Sequence, residues 1–206
     1  MKDINKKTFL PIILSIFTTI PSYWLSKLFV DFNNVKFVST TIDDIIPLYT
    51  PAVIIYVLAY LQWIIVIYIL LKQDTLLGKR IALTFIISSI FDFLIYITYP
   101  TGILRPNIEV NNIFDWILSI VYSIDTPINV CPSFHCFGST LAIIALNNSK
   151  NINRKYKIIN VIFSIFVYIS TLLTKQHYFI DVPAGIMLAY VCYFISFLLE
   201  LYGIAL

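Results

Sequence analysis

Twenty-one consecutive residues, Pro51 to Leu71, contain no charged side chain. A helix needs about 20 mostly apolar residues to cross the hydrocarbon core of a bilayer. Five further segments qualify or nearly so: about Phe9 to Val30, Ile81 to Pro100, Ser133 to Asn147, Ile158 to Thr174 and Val182 to Leu199. The segment from Ser133, fourth in chain order, is short. Charged residues make up 12% of the chain, against about 25% in a soluble domain. That leaves too little polar surface to cover a water-soluble globule. The expected fold is all-α: an integral membrane bundle of six transmembrane helices, forming a single polytopic domain over residues 1–206. The lysine-flanked start resembles a signal peptide, but no small-residue cleavage site follows the full-length apolar run, so a retained span is expected.

Cations set the expected orientation, because cytoplasmic loops carry an excess of Lys and Arg. With the N-terminus in the cytoplasm, the inner segments hold Lys2, Lys6, Lys7, Lys72, Lys79, Arg80, Lys150, Arg154, Lys155 and Lys157, ten of fourteen Lys and Arg. Only Lys27, Lys36, Arg105 and Lys175 fall outside. Both termini are then cytoplasmic and three loops face out. In the first outer loop, Asp43-Asp44 reads as the start or end of a short helix. In the second, between spans three and four, Ile113, Trp116, Ile117, Ile120 and Val121 recur at helical spacing. They predict a short interfacial helix over Asn112 to Ser123, lying on the membrane. Asp92, near the middle of the third span, should face the bundle interior, with Ser88 or Ser89 as its partner.

The outer ends of spans three to six collect an unusual set: Arg105, Ser133, His135, Lys175, His177 and Asp181. The chain has only these two histidines. Each residue has a role in phosphoryl transfer, which needs cations and donors around the non-bridging oxygens. Arg105 offers a planar fork of donors. Ser133 begins a helix, so its hydroxyl and the backbone N–H groups of Phe134 and His135 suit an anion. Neutral His177 is able to attack phosphorus, Asp181 to fix its tautomer, and His135 to pass the proton. Taken singly, Ser133 and Asp181 also read as helix caps, and Arg105 as an interface anchor.

Pro132-Ser133-x-His135, Arg105-Pro106 and His177-x-x-x-Asp181 resemble the three signature motifs of the type-2 phosphatidic acid phosphatase superfamily. That superfamily includes six-span lipid phosphatases and phosphotransferases related to inositol phosphorylceramide and sphingomyelin synthases. The resemblance implies His177 as nucleophile, Asp181 as its partner, His135 as acid–base, and Arg105 with Ser133 as phosphate ligands. The motif-bearing core is about 98–185. Two cations of the pattern are missing: Thr98 stands where a lysine is usual, and Thr171 where an arginine is usual. Lys175, four residues after Thr171, is expected to supply one charge a helical turn higher.

The expected function is metal-independent hydrolysis of a lipid phosphate monoester or pyrophosphate through a phosphohistidine at the extracytoplasmic face. A lipid phosphotransferase moving a phospho-headgroup to a lipid acceptor is the runner-up. A bis-histidine haem carrier and a non-catalytic transporter are the more distant alternatives. No cofactor is implied, no carboxylate cluster suits a two-metal site, and the modest net charge of +3 gives no reason to invoke nucleic acid. The partners expected are the membrane and a lipid phosphate substrate within it. Cys131, Cys136 and Cys192 lack metal-site spacing and read as small packing residues rather than a disulfide. High Ile, Asn and Lys usage fits an AT-rich, prokaryotic genome and hence a plasma membrane.

Overall fold

The computed structural model describes residues 14–15, 18–19 and 21–203. The first expected span, Phe9 to Val30, therefore lies partly outside the described residues; within it, residues 21–26 are helical. The helices that follow are α1 (Thr41–Ile45), α2 (Val53–Gln73), α3 (Thr75–Thr98), α4 (Ile113–Ile124), α5 (Phe134–Asn148), α6 (Arg154–Leu173) and α7 (Asp181–Leu201). Two short strands, β1 (Lys36–Phe37) and β2 (Thr101–Gly102), pair in parallel.

Among the described residues four helices are long and apolar enough to cross a membrane: α2 with the 3-10 turn before it, α3, α6 and α7. Side chains such as Ile64, Phe166, Met187 and Phe194 on α2, α6 and α7 are exposed. An apolar rim of this kind is what lipid requires, since lipid supplies no hydrophobic force to bury it.

The expected fourth span corresponds to α5, whose 15 residues give a length of about 22 Å at 1.5 Å per residue. That is shorter than the roughly 30 Å hydrocarbon core, so α5 is not one of the spanning-length helices. Its position explains its length. It packs against α2, α3, α6 and α7, and 11 of its 15 residues are buried. Small residues bring the neighbours close. A Cβ on Gly138 would lie 2.4 Å from the Trp63 ring on α2. Polar side chains tie the same helices together: Gln62 on α2 donates to Asn160 Oδ1 (2.9 Å) and Ser164 Oγ (2.8 Å) on α6, and accepts from Ser139 Oγ (2.9 Å) on α5. Hydrogen bonds of this type hold helices together where burial cannot.

The two ends of the bundle differ in charge. The α2–α3 and α5–α6 connections meet at one end, where Asn151 Nδ2 donates to Gln73 O (2.8 Å). Lys72, Lys79, Lys150, Arg154, Lys155 and Lys157 cluster there, with Arg80 paired to Glu200 at 2.6 Å. The other end carries the C-terminus of α3, the N-termini of α5 and α7, and α4. A short helix does form over the expected segment, α4, capped by Asn112, which accepts from Phe114 and Asp115 N–H groups. Leu118 points inward, while Ile113, Trp116 and Ile124 are exposed.

Candidate active site

His177 lies in the tight connection between α6 and α7. α6 ends at Leu173 in a Schellman arrangement: Gln176 N–H donates to Thr171 O (3.1 Å) and Lys175 N–H to Leu172 O (3.1 Å), with Lys175 at φ 50°. The chain then turns into α7, whose first residue is Asp181. Asp181 Oδ2 accepts the Tyr178 N–H (2.9 Å) and faces His177 Nδ1 at 3.4 Å. With Nδ1 turned to the carboxylate, Nε2 is the ring nitrogen left for chemistry.

His135, in the first turn of α5, is 5% exposed. Its ring stacks on Tyr56 with centroids 3.8 Å apart, and Tyr60 and Trp63 flank it at 5.0 and 5.5 Å. Those contacts fix the ring plane. The two histidine rings stand 6.4 Å apart, and His135 Nε2 is buried without a hydrogen-bond partner. Both rings line a cavity of about 260 Å³ that Tyr23, Tyr56, Tyr60, Asp92, Tyr96 and Gln176 also line.

Ser133 is the N-cap of α5: its hydroxyl oxygen accepts the Cys136 N–H (3.3 Å), leaving its proton to donate. The amides of Phe134 and His135 belong to the first turn, which no intrahelical carbonyl reaches. Ser133 is held from below, since its N–H donates to Asp181 O (3.1 Å). A Cβ on Gly185 would lie 2.3 Å from Ser133 O, so glycine is what allows α7 this close. The cysteines are free thiols, as expected. Burial, then the nearby Asp181 carboxylate, push the Cys131 thiol up to about 12.

Arg105 approaches from the strand side. Its guanidinium donates to Gln176 Oε1 and to the Asp125 carbonyl, sits 3.8 Å from Asp125 Oδ2, and stacks over Tyr122 at 4.7 Å. Leu104 N–H donates to the Tyr178 hydroxyl (3.2 Å), joining the Arg105 segment to the His177 loop. Burial raises the Tyr122 phenol to about 12, and its hydroxyl donates to Thr174 O (2.7 Å).

Lys175 departs from expectation. Its ammonium donates to the carbonyls of Asp43 (3.0 Å) and Ile46 (2.5 Å) instead of facing the histidines. The physical reason is that α6 has already ended, so Lys175 is no longer on the Thr171 face. Thr98 and Thr171 bond the carbonyls of their own helices, at Leu94 and Tyr168 (2.7 Å each).

Several residues near the site gave no signal in the sequence. Gln176 is 1% exposed. Its orientation is fixed because a guanidinium only donates; the amide oxygen must face Arg105, and Nε2 is left buried and unpartnered. Asp43 Oδ1 accepts the Phe179 N–H (2.7 Å), bracing the His177–Asp181 loop from α1. Lys27 Nζ, buried and without a hydrogen-bond partner, lies over the rings of Tyr23 (3.9 Å) and Trp24 (4.0 Å), both of which line the cavity.

A bis-histidine haem does not fit this arrangement. The cavity of about 260 Å³ is below the roughly 300–1,000 Å³ of sites for drug-sized ligands, too small to hold a haem.

Compared with known proteins, residues 26–195 match the family model described as the PAP2 superfamily. No curated protein and no solved structure matches the chain.

Proposed function

The chain belongs to the PAP2 (type-2 phosphatidic acid phosphatase) superfamily, and we propose that it is a membrane-embedded lipid phosphatase working through a phosphohistidine. The observation that carries this reading is the shared cavity of His177 and His135, with Asp181 behind one ring and an unpartnered Nε2 on the other.

In the proposed reaction His177 Nε2 attacks phosphorus as the bond to the lipid alcohol oxygen breaks. His135 protonates the departing alkoxide. Water then attacks the phosphohistidine, His135 takes its proton, and the P–N bond breaks to release phosphate. Asp181 stabilises the positive charge that develops on His177. Arg105, Gln176 Nε2, the Ser133 hydroxyl and the first amides of α5 are the donors for the non-bridging oxygens. Lys27, near enough to Asp125 and Arg105 to feel both charges, is a candidate second cation in place of those missing at 98 and 171.

Metal independence is part of the proposal, with His177 supplying the nucleophile and Arg105 the positive charge a metal would otherwise bring. Among the described residues, no group of three His, Cys, Asp or Glu is placed to hold a metal ion. An extracytoplasmic site with cytoplasmic termini is supported by the basic opposite end of the bundle. An interfacial α4 is supported by its exposed Trp116, since tryptophan favours the headgroup level.

The test is phosphate release from a panel of lipid phosphates by purified protein in nanodiscs, with His177→Ala as control. The reading expects vanadate-sensitive turnover that survives a chelator and vanishes in the variant. Chelator-sensitive turnover, or release undiminished in His177→Ala, would count against it.

A further inference from the structure

Asp92 is 4% exposed, lines the same cavity as both histidines, and its Oδ1 has no hydrogen-bond partner among the described residues. Neither expected partner serves it. Ser88 and Ser89 donate to Phe85 O (2.9 and 2.8 Å), and Ser89 also bonds Thr19 (3.0 Å). A carboxyl group in a span is costly to insert, and leaving its buried oxygen unsatisfied adds to that cost. The fold nevertheless turns this group toward the reaction cavity.

Hydroxyl-bearing Thr19, Ser22, Tyr23 and Tyr96 line the cavity with Asp92, and the Tyr23 hydroxyl donates to Asp125 Oδ1. Gln176 Nε2, a fixed donor, is on the side nearer Arg105. The cavity volume of about 260 Å³ is about twice that of a phosphate, counting each of its four oxygens as a water-sized group of roughly 30 Å³. The cavity thus offers a fixed amide donor for phosphate oxygens and an unmet carboxyl group for a small polar group joined to them.

Resting on the phosphoryl-transfer reading, we propose that Asp92 forms a subsite for a hydroxylated head group of the glycerol or polyol type. A hydroxyl satisfies a carboxyl group in either protonation state, donating to the carboxylate or accepting from the acid. An ammonium group would need the ionised form, and an acyl chain would leave Oδ1 unmet. The hydroxyl has two possible sources: the alcohol already esterified in the substrate, or an alcohol that replaces water as acceptor. In the second case the alcohol oxygen attacks the phosphohistidine, the P–N bond breaks, and the hydroxyl proton passes to His135.

Tryptophan fluorescence tests this directly, because Trp24 lines the cavity. Purified protein in nanodiscs is titrated with glycerol 1-phosphate and with propyl phosphate, which matches it in size but lacks the free hydroxyls. Wild type is expected to bind the glycerol compound about tenfold more tightly, the value of one good hydrogen bond. Asp92→Leu should bring the ratio within about twofold, while Asp92→Asn, still able to donate and accept, keeps most of it. Equal binding by wild type, or an unchanged ratio in Asp92→Leu, overturns the subsite. Should Asp92→Leu fail to fold, the wild-type ratio and the Asn variant decide. Phosphate release with a ratio of one defeats the subsite alone, and a preserved ratio without release from any lipid phosphate defeats the phosphatase reading alone. Faster release from a glycerol-bearing lipid phosphate than from phosphatidic acid assigns the hydroxyl to the substrate. A phosphoglycerol product formed with added glycerol assigns it to the acceptor.

Discussion

Asp43 accepts the Phe179 N–H at 2.7 Å, so a carboxylate from α1, ahead of the first long helix, holds the loop between His177 and Asp181. The same residue organises its own helix, with Oδ2 accepting the Thr40 N–H at 2.7 Å. Its backbone carbonyl takes the Lys175 ammonium. The loop that carries His177 is therefore positioned by a residue more than 130 positions away in the chain.

Asp43→Ala is expected to lower turnover about tenfold to a hundredfold, the scale of misplacing a reacting group by about 1 Å. Asp43→Asn, which keeps an acceptor oxygen, should retain a larger share. Steady-state phosphate release on one lipid substrate measures both, and equal rates in wild type and Asp43→Ala would refute the bracing role.

Gln176 both orients Arg105 and offers Nε2 to the cavity. Gln176→Leu removes both functions and should reduce kcat/KM by about ten- to a hundredfold, consistent with losing a hydrogen bond to a charged group. Gln176→Glu keeps a partner for Arg105 but sets negative charge beside the phosphate. It should be at least as damaging, chiefly through KM.

The sequence revealed four of the spanning helices, α4 and the order of the motif residues because apolar run length and helical period are local properties. The central place of α5 was not legible: enclosure by four neighbours lets a short helix fill the middle of the bundle, and nothing in Phe134–Asn148 states its neighbours. Lys175 misled for a different reason. Its spacing from Thr171 is helical, but the helix stops at Leu173 with no glycine to mark the left-handed residue. Asp43, Gln176 and Lys27 escaped notice because their roles are fixed by partners far along the chain.

Gly185 is the closest contact between α7 and the Ser133 turn. Gly185→Ala must displace the Ser133 carbonyl, and overpacking of this kind costs about 1–3 kcal/mol. The variant should unfold several degrees lower and lose most activity. A thermal melt and a turnover assay on the same sample measure both, and an unaltered protein would contradict the packing described.

Cys131, pushed up to about 12, stays a neutral thiol throughout the physiological range, and only the thiolate is nucleophilic. Alkylation of Cys131 followed by mass spectrometry should be slow at pH 7–8 and still rising at pH 10, beyond the usual thiol midpoint of about 8.5. Asp181→Asn removes a neighbouring negative charge, lowers this pKa, and should speed the reaction.

The most direct test of the phosphohistidine is a rapid acid- or alkali-quenched reaction with a ³²P-labelled lipid phosphate, followed by peptide mapping. The predicted result is acid-labile, alkali-stable label on the peptide bearing His177, absent from His177→Ala and formed more slowly in His135→Ala. Turnover without label on His177, or label at another residue, would contradict the mechanism.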